Sequence, residues 1–305
     1  MNLNTRYLGL ELKHPIVASA SPLSADIDGI DSLLDAGAAA VVMASVFEEQ
    51  VAADSGVLEE HLEALRQASK QDDVPIIASL NGETPSGWVE FAKRLEDAGA
   101  NAIELDIYRV PADPNEPGQA LEQSCVAILR AVKAAVQLPV AVKLSPYFSS
   151  PGNMAKQLVA AGADGLILFN RFYEGDIDLA SMRVKPDFQL STPYDIRLPL
   201  MWISLLSGKL DTSLAATSGV WTYKEVVKYL MVGADAVMTT SALLKEGPDH
   251  LEALVSGLRQ WMENSGFDSV GDFKGRFAAA HLSDPSAFMR VHYADILKYG
   301  HKDEW

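Results

Sequence analysis

Cysteine is almost missing from this sequence: Cys125 stands alone among 305 residues. An intrachain disulfide is therefore excluded, as is an iron–sulfur cluster held by this chain by itself. Cys125 lies in the helical pattern LEQSCVAILRAVKAA, where it reads as a small buried hydrophobe and not as a nucleophile. Basic residues are scarce too, 25 Lys and Arg against 41 Asp and Glu, for a net charge of −16. Phosphate binding needs clustered Lys and Arg, so a nucleic-acid partner is not expected. Long apolar runs and a charged-then-apolar leader are also missing, and the chain reads as soluble and cytoplasmic, with no membrane association. Neither GxGxxG nor GxxxxGK[ST] occurs, which removes the main support for a doubly wound open sheet.

What the sequence does have is a repeat. A small-residue corner followed by an apolar run appears as 36-AGAAAVVMAS-45, 98-AGANAIELDI-107, 161-AGADGLILFN-170 and 232-VGADAVMTTS-241. The glycines at 37, 99, 162 and 233 suit the end of a helix just before a tight turn into a strand. Interleaved with them are runs that open on proline, 14-HPIVASAS-21, 74-VPIIASLN-81 and 138-LPVAVKLS-145. Proline is tolerated at the first residue of a strand, and continuously apolar runs fit a parallel sheet covered on both faces. Pro199 keeps this rhythm, but 222-TYKEVVKYLMVG-233 is an N-capped helix leading into the last corner, so strand 7 must be 213-SLAATSG-219. Residues from about 173 to 211 then form an excursion between strands 6 and 7, with a helix near its end.

This pattern predicts an α/β fold, a (β/α)8 TIM barrel spanning 1–305 as one domain. MNLNTRYLGLEL would be a small β element closing the bottom, and 249–266 and 285–300 would be outer helices. In such a barrel the chemistry sits where the strands end. Here they end on Ser21, Ser45, Asn81, Asp106 through Arg109, Lys143 with Ser145, Asn170 with Arg171, Thr217 through Gly219, and Thr240 with Ser241. Lys143 stands out, because a lysine after four apolar residues needs an anionic partner. None of the six histidines ends a barrel strand, so a His-rich zinc site and a histidine base are not expected at the mouth. The mouth offers anion- and amide-binding groups, which suit a phosphorylated or ring-shaped cofactor.

Four segments, 8-LGLELKHPIVASAS-21, 141-AVKLSPYF-148, 168-LFN-170 and 233-GADAVMTTSALLKEGP-248, resemble the dihydroorotate dehydrogenase family. The similarity runs from about residue 5 to about residue 275. It implies an FMN-binding barrel in which the flavin oxidises or reduces a C–C bond of a pyrimidine-like ring. By position, Lys143 would lie at the N1 and O2 side of the isoalloxazine, and Asn170 at the substrate or flavin edge. Ser218, Gly219, Thr240 and Ser241 would hold the FMN phosphate with backbone N–H groups. Ala20 and Ser21 would lie along the flavin, with Ser45 at the strand 2 exit and Asn81 on the substrate side.

The departures narrow what the resemblance implies. The family's strand 2 exit carries a lysine; here the segment is 43-MAS-45, with Ala44 in that place. The family's strand 4 ends in an asparagine and, three residues on, a Cys or Ser base; here the segment is 106-DIYR-109. An arginine cannot serve as that base. Asp106 and Arg109 could form an ion pair, Arg109 could join Arg171 in recognising a carboxylate-bearing substrate, or Asp106 or Tyr108 could act as the base. The glycine-rich turn before strand 7 appears as 190-LSTPYDIRLPL-200, without its glycines, and each phosphate turn has lost one glycine. The expectation is an FMN-dependent oxidoreductase with an altered substrate site, acting on a small cyclic or anionic substrate. A true dihydroorotate dehydrogenase with a relocated base and a non-catalytic barrel subunit are the rivals. The family suggests a homodimer and leaves room for an electron-transfer partner subunit.

Overall fold

The computed structural model describes residues 1–52, 56–71, 74–82, 85–171 and 174–285. Eight parallel strands close into a barrel: β1 (Ile16–Ala18), β2 (Val41–Val42), β3 (Ile76–Asn81), β4 (Ala102–Asp106), β5 (Val140–Leu144), β6 (Gly165–Leu168), β7 (Ser213–Ala216) and β8 (Ala236–Thr239). Each pairs with its sequence neighbours, and Val237↔Ile16 through Thr239↔Ala18 seals β8 to β1. A short segment, Val46–Phe47, extends the β2 edge along β3. The helices between strands are α1 (Ile27–Asp35), α2 (Val57–Ala68), α3 (Pro85–Asp97), α4 (Gly118–Ala135), α5 (Pro151–Ala160), α6 (Arg197–Leu206) and α7 (Tyr223–Met231), and α8 (His250–Ser265) follows the last strand. The expected barrel is thus observed. The segment expected as a helix over 285–300 lies, from 286 onward, outside the described residues.

The four corners are built alike, which explains the repeat. Gly37, Gly99, Gly162 and Gly233 all take φ between 92° and 108°, a left-handed conformation that glycine adopts without strain. In each, the next N–H reaches back to the helix: Ala38 to Leu33, Ala100 to Leu95, Ala163 to Leu158 and Ala234 to Tyr229. This is the bond that closes a helix ending on glycine. One residue further on, Ala39, Asn101, Asp164 and Asp235 each donate their N–H to the preceding strand, at Ile16, Ile76, Val140 and Leu214. The polar side chains at three of these positions cap the same strand: Asn101 Oδ1, Asp164 Oδ2 and Asp235 Oδ2 accept from the N–H of Ile76, Val140 and Leu214 at 2.7–2.8 Å.

Strand alternation splits the apolar residues into two clusters. Ile16, Val41, Ile76, Ile103, Val140, Leu166, Leu214 and Val237 face the helices in a large outer core. The alternate positions face the barrel interior and are small: Ala102, Ala141, Ala215 and Ala236, with Val17, Val42, Ile77, Ile167 and Met238. The space they leave at the bottom is filled by the opening hairpin, Thr5–Tyr7 paired with Leu10–Leu12. Its two-residue turn, Leu8 at φ 54° and Gly9 at φ 78°, drives Leu8 into the barrel against Gly165. Leu8 N–H donates to Ser213 Oγ at 3.0 Å, which fixes the plug to β7.

Pro199 lies inside α6, as the rejection of a strand there requires, and Thr222 caps α7 by accepting from Lys224 N–H. Between β6 and β7 the excursion holds a hairpin, Asp176–Asp178 with Arg183–Lys185, and a 3-10 turn, Pro193–Ile196, before α6.

Candidate functional site

A cavity of about 340 Å³ opens at the C-terminal ends of the strands. The exits of β1, β5, β6, β7 and β8 form its floor, with Ala20, Lys143, Asn170, Ser218, Gly219, Thr240 and Ser241 among the lining residues. The excursion supplies the opposite wall, including Glu174, Asp176, Asp187 and Ser191. Arg171 lines the cavity too, with its Nη1 donating to the Gln189 carbonyl at 3.0 Å.

Lys143 points inward because it is two residues beyond Ala141 on β5, on the interior face. Its Nζ is 3.2 Å from Glu104 Oε1 and 3.7 Å from Asp106 Oδ2. These carboxylates are the anionic partners that a lysine at the end of a buried strand requires. Both sit on the interior face of β4, with Asp106 directly opposite Lys143 in the sheet register. Asp106 Oδ1 also accepts from Asn170 Nδ2 at 2.6 Å. Burial pushes the Asp106 carboxyl up to about 6 and nearby Glu104 adds to the rise, while Lys143 and the Asn170 hydrogen bond oppose it.

The two expected phosphate turns lie side by side and are joined by one serine. Ser218 and Gly219 both adopt positive φ, 80° and 72°. Tyr229 secures this turn from below, its hydroxyl donating to the Ser218 carbonyl at 2.9 Å. Gly219 N–H donates to Ser191 Oγ at 3.1 Å, and Ser191 donates its own N–H and hydroxyl to Ser241 Oγ at 2.9 and 2.8 Å. Trp221 Nε1 holds the Ser191 carbonyl at 2.6 Å. With two bonds accepted, the Ser241 oxygen has its own proton left to donate elsewhere. Thr240 and Ser241 open a short helix, Ser241–Glu246, whose first N–H groups have no partner within the helix.

Other residues expected at the mouth are used differently. Ser21 Oγ accepts from Leu23 N–H and caps a 3-10 turn, and Ser45 Oγ is 2.8 Å from Ser79 Oγ. Asn81 ends β3 opposite Asp106 in the register. Arg109 does not pair with Asp106: its Nη1 is 2.9 Å from Glu116 Oε1, and it is not among the residues lining the cavity. The β4 exit runs on through Val110 to Pro117, which brings Glu116 back to Arg109, and this loop geometry is not visible in a strand-end count. Several residues escaped the sequence reading, among them Glu174, Asp176 and Asp187 of the excursion, and two matter most to the geometry. Glu104 is a glutamate inside an apolar strand, with the same parity as Asp106, and that parity was the available signal. Ser191 belongs to an excursion with no period to read. Among the described residues no group of His, Cys, Asp and Glu could hold a metal ion. Cys125 is buried, and burial pushes its thiol up to about 11, as an inert core residue requires.

Fold and site thus define a (β/α)8 barrel with a cavity over a largely buried lysine. The profile of the family described as dihydroorotate dehydrogenase matches residues 52–262. The catalytic subunit of dihydroorotate dehydrogenase B (NAD(+)) from Thermoplasma acidophilum is 25% identical, covering 90% of this chain and 98% of that one. Its counterpart from Anoxybacillus flavithermus is 31% identical over 68% of this chain and 67% of its own. The NAD-dependent dihydropyrimidine dehydrogenase subunit PreA of Escherichia coli is 24% identical over 90% of this chain and 76% of its own. The chain belongs to the dihydroorotate dehydrogenase family.

Proposed function

We propose that this protein is an FMN-dependent oxidoreductase acting on a C–C bond of a small cyclic substrate. The observation that carries the reading is the cavity itself, with the Lys143 ammonium on its floor and the Ser218–Gly219 and Thr240–Ser241 turns in its lining. The donor set fits FMN: a phosphate monoester needs several N–H and O–H donors without a dense cationic field, and a flavin ring gains from a cation at its pyrimidine edge. The Ser241 hydroxyl and the Thr240 and Ser241 N–H groups would hold the phosphate, with the Ser218–Gly219 turn packed beside it and its Gly219 N–H held by Ser191. Lys143 would face the ring, Asn170 its edge or the substrate, and Ala20 the ring plane. When bound, FMN would supply hydride transfer to or from the substrate carbon.

The substrate side differs from that of a carboxylate binder. Glu174, Asp176 and Asp187 line the cavity, and Arg109 is engaged with Glu116. Against Lys143 and Arg171 these three carboxylates leave the lining with no excess positive charge for an anionic substrate, so an uncharged ring of the dihydropyrimidine type is the preferred choice over dihydroorotate. Asp106 lies beneath the lining against Lys143 and Asn170, and with its carboxyl pushed up to about 6 it would exchange a proton with the ring edge through the Lys143 ammonium. The test is anaerobic mixing of FMN-loaded protein with dihydrouracil or dihydroorotate. Bleaching of the flavin band by dihydrouracil and not by dihydroorotate is expected. Rapid bleaching by dihydroorotate, lost in Asp106→Asn, would instead establish a dihydroorotate dehydrogenase with a relocated base.

The relatives named as catalytic or other subunits support an electron-transfer partner for this chain as well. Separately, the excursion hairpin presents Ile177, Leu179, Met182 and Val184 at 63–80% exposure, apolar surface suited to cover by a second copy of this chain. A dimer by sedimentation, dissociated by Leu179→Asp with Met182→Asp, is the expected result.

A further inference from the structure

Beneath the cavity floor lies a carboxylate that the proposed reaction does not use. Glu104 has no exposed surface, and its Oε1 lies 3.2 Å from Lys143 Nζ. Its other oxygen, Oε2, is buried with no hydrogen-bond partner. The bottom hairpin brings up the Tyr7 hydroxyl, also buried without a partner, and the Glu104 charge helps raise that phenol beyond the effect of burial. The surrounding interior layer is alanine, from Ala102, Ala141, Ala215 and Ala236. Among the described residues, the titratable groups brought to this point include Glu104 and Asp106 from β4, Lys143 from β5 and Tyr7 from the hairpin. Asn170, after β6, and Ser79, on β3, add uncharged polarity.

A buried carboxylate with one orphaned oxygen persists in an apolar layer only if a cation compensates it. A nearly buried ammonium keeps its proton only beside an anion. Asp106 has Asn170 as a second donor, whereas Glu104 accepts from Lys143 Nζ in the barrel interior. We propose that Glu104 is the positioning residue for Lys143, a fixed counter-ion beneath the floor that keeps the ammonium charged and aimed into the cavity. Asp106 is the secondary partner. The identity of the anion that Lys143 meets rests on the FMN reading; the Glu104–Lys143 pairing does not.

The test is acetic anhydride labelling of the purified full chain, with Lys143 compared by mass spectrometry to Lys185, which lies on an exposed strand. Only a neutral amine reacts, so labelling at fixed pH reports how firmly the proton is held. Glu104→Gln should raise Lys143 labelling at pH 8 about tenfold, equivalent to one pKa unit, and Asp106→Asn should raise it by less than about threefold. Glu104→Asp, which keeps the charge but withdraws it by one methylene, should raise it about threefold and guards against a Gln variant that does not fold. Unchanged labelling in Glu104→Gln or Glu104→Asp, or a larger effect from Asp106→Asn, would overturn the proposal. FMN fluorescence measured on the same wild-type sample separates the two readings. Absence of quenching sinks the cofactor reading and leaves the labelling result standing.

Discussion

At the cavity floor one ammonium answers two carboxylates, and this ratio sets what each residue can do. Lys143→Met removes the cation and leaves Glu104 and Asp106 uncompensated in the interior. FMN affinity, followed by fluorescence quenching, should fall about tenfold or more, in line with the loss of a charged hydrogen bond. The same variant should melt at lower temperature, and adding Asp106→Asn should restore part of the loss. Ser191→Ala tests the other end of the cavity. It removes the link from Gly219 N–H to Ser241 Oγ and should weaken FMN binding by about fivefold, or roughly 1 kcal/mol.

The residues reachable from sequence were those whose direction the strand period dictates. Lys143, Asn170, Ser218, Gly219, Thr240 and Ser241 end strands, and the strands deliver them to the cavity lining. Ser21, Ser45 and Arg109 also follow strand ends, but local hydrogen bonds and one ion pair engage them. A period says which way a side chain points and nothing about its nearest competitor. Glu104 could have been read from the same parity as Asp106. Ser191 could not, because its position depends on a non-periodic chain folding back over the barrel.

Among the elements, the opening hairpin is the one whose fit can be tested with single methyl groups. A Cβ added at Gly165 would meet Leu8 Cδ2 at 2.4 Å and Ala141 Cβ at 3.4 Å. Gly165→Ala should therefore cost about 1–3 kcal/mol in urea unfolding, the usual range for overpacking. Leu8→Ala alone should also destabilise, by opening a void. Together the two should cost less than their sum, because the smaller residue at 8 makes room for the methyl at 165. The corners were legible because a glycine recurs at a fixed place between helix and strand; the Asn or Asp two residues on, present in three of the four, makes a further backbone bond. Strand 7 was legible because the Thr222 cap fixes where α7 begins. The hairpin of the excursion was not foreseen, since Asp176–Asp178 and Arg183–Lys185 carry no continuous apolar signal.

For the whole molecule, three buried titratable groups predict how stability follows pH. His14 and His61 are both lowered from 6.5 to about 4, chiefly by burial. Between those values the unfolded chain takes up protons that the folded chain refuses, so stability rises with pH across that window. Asp106 has the opposite sign. Raised from 3.8 to about 6, it keeps a proton that the unfolded chain releases, so its contribution is full at low pH and is lost as pH climbs to about 6. Two groups outweigh one, and the melting temperature should increase from pH 4 to pH 6.5. Asp106→Asn should steepen that increase, and His61→Gln should flatten it. Among the described residues no helix is long and apolar enough to cross a membrane.

Whether the cavity above Lys143 binds FMN is decided by the visible spectrum of the purified protein during titration with FMN. Saturation at one FMN per chain is expected, with a flavin band shifted from that of free FMN, and Lys143→Met should need at least about tenfold more FMN to saturate. A protein that stays colourless, and leaves the FMN spectrum and fluorescence unchanged at saturating concentration, would contradict it.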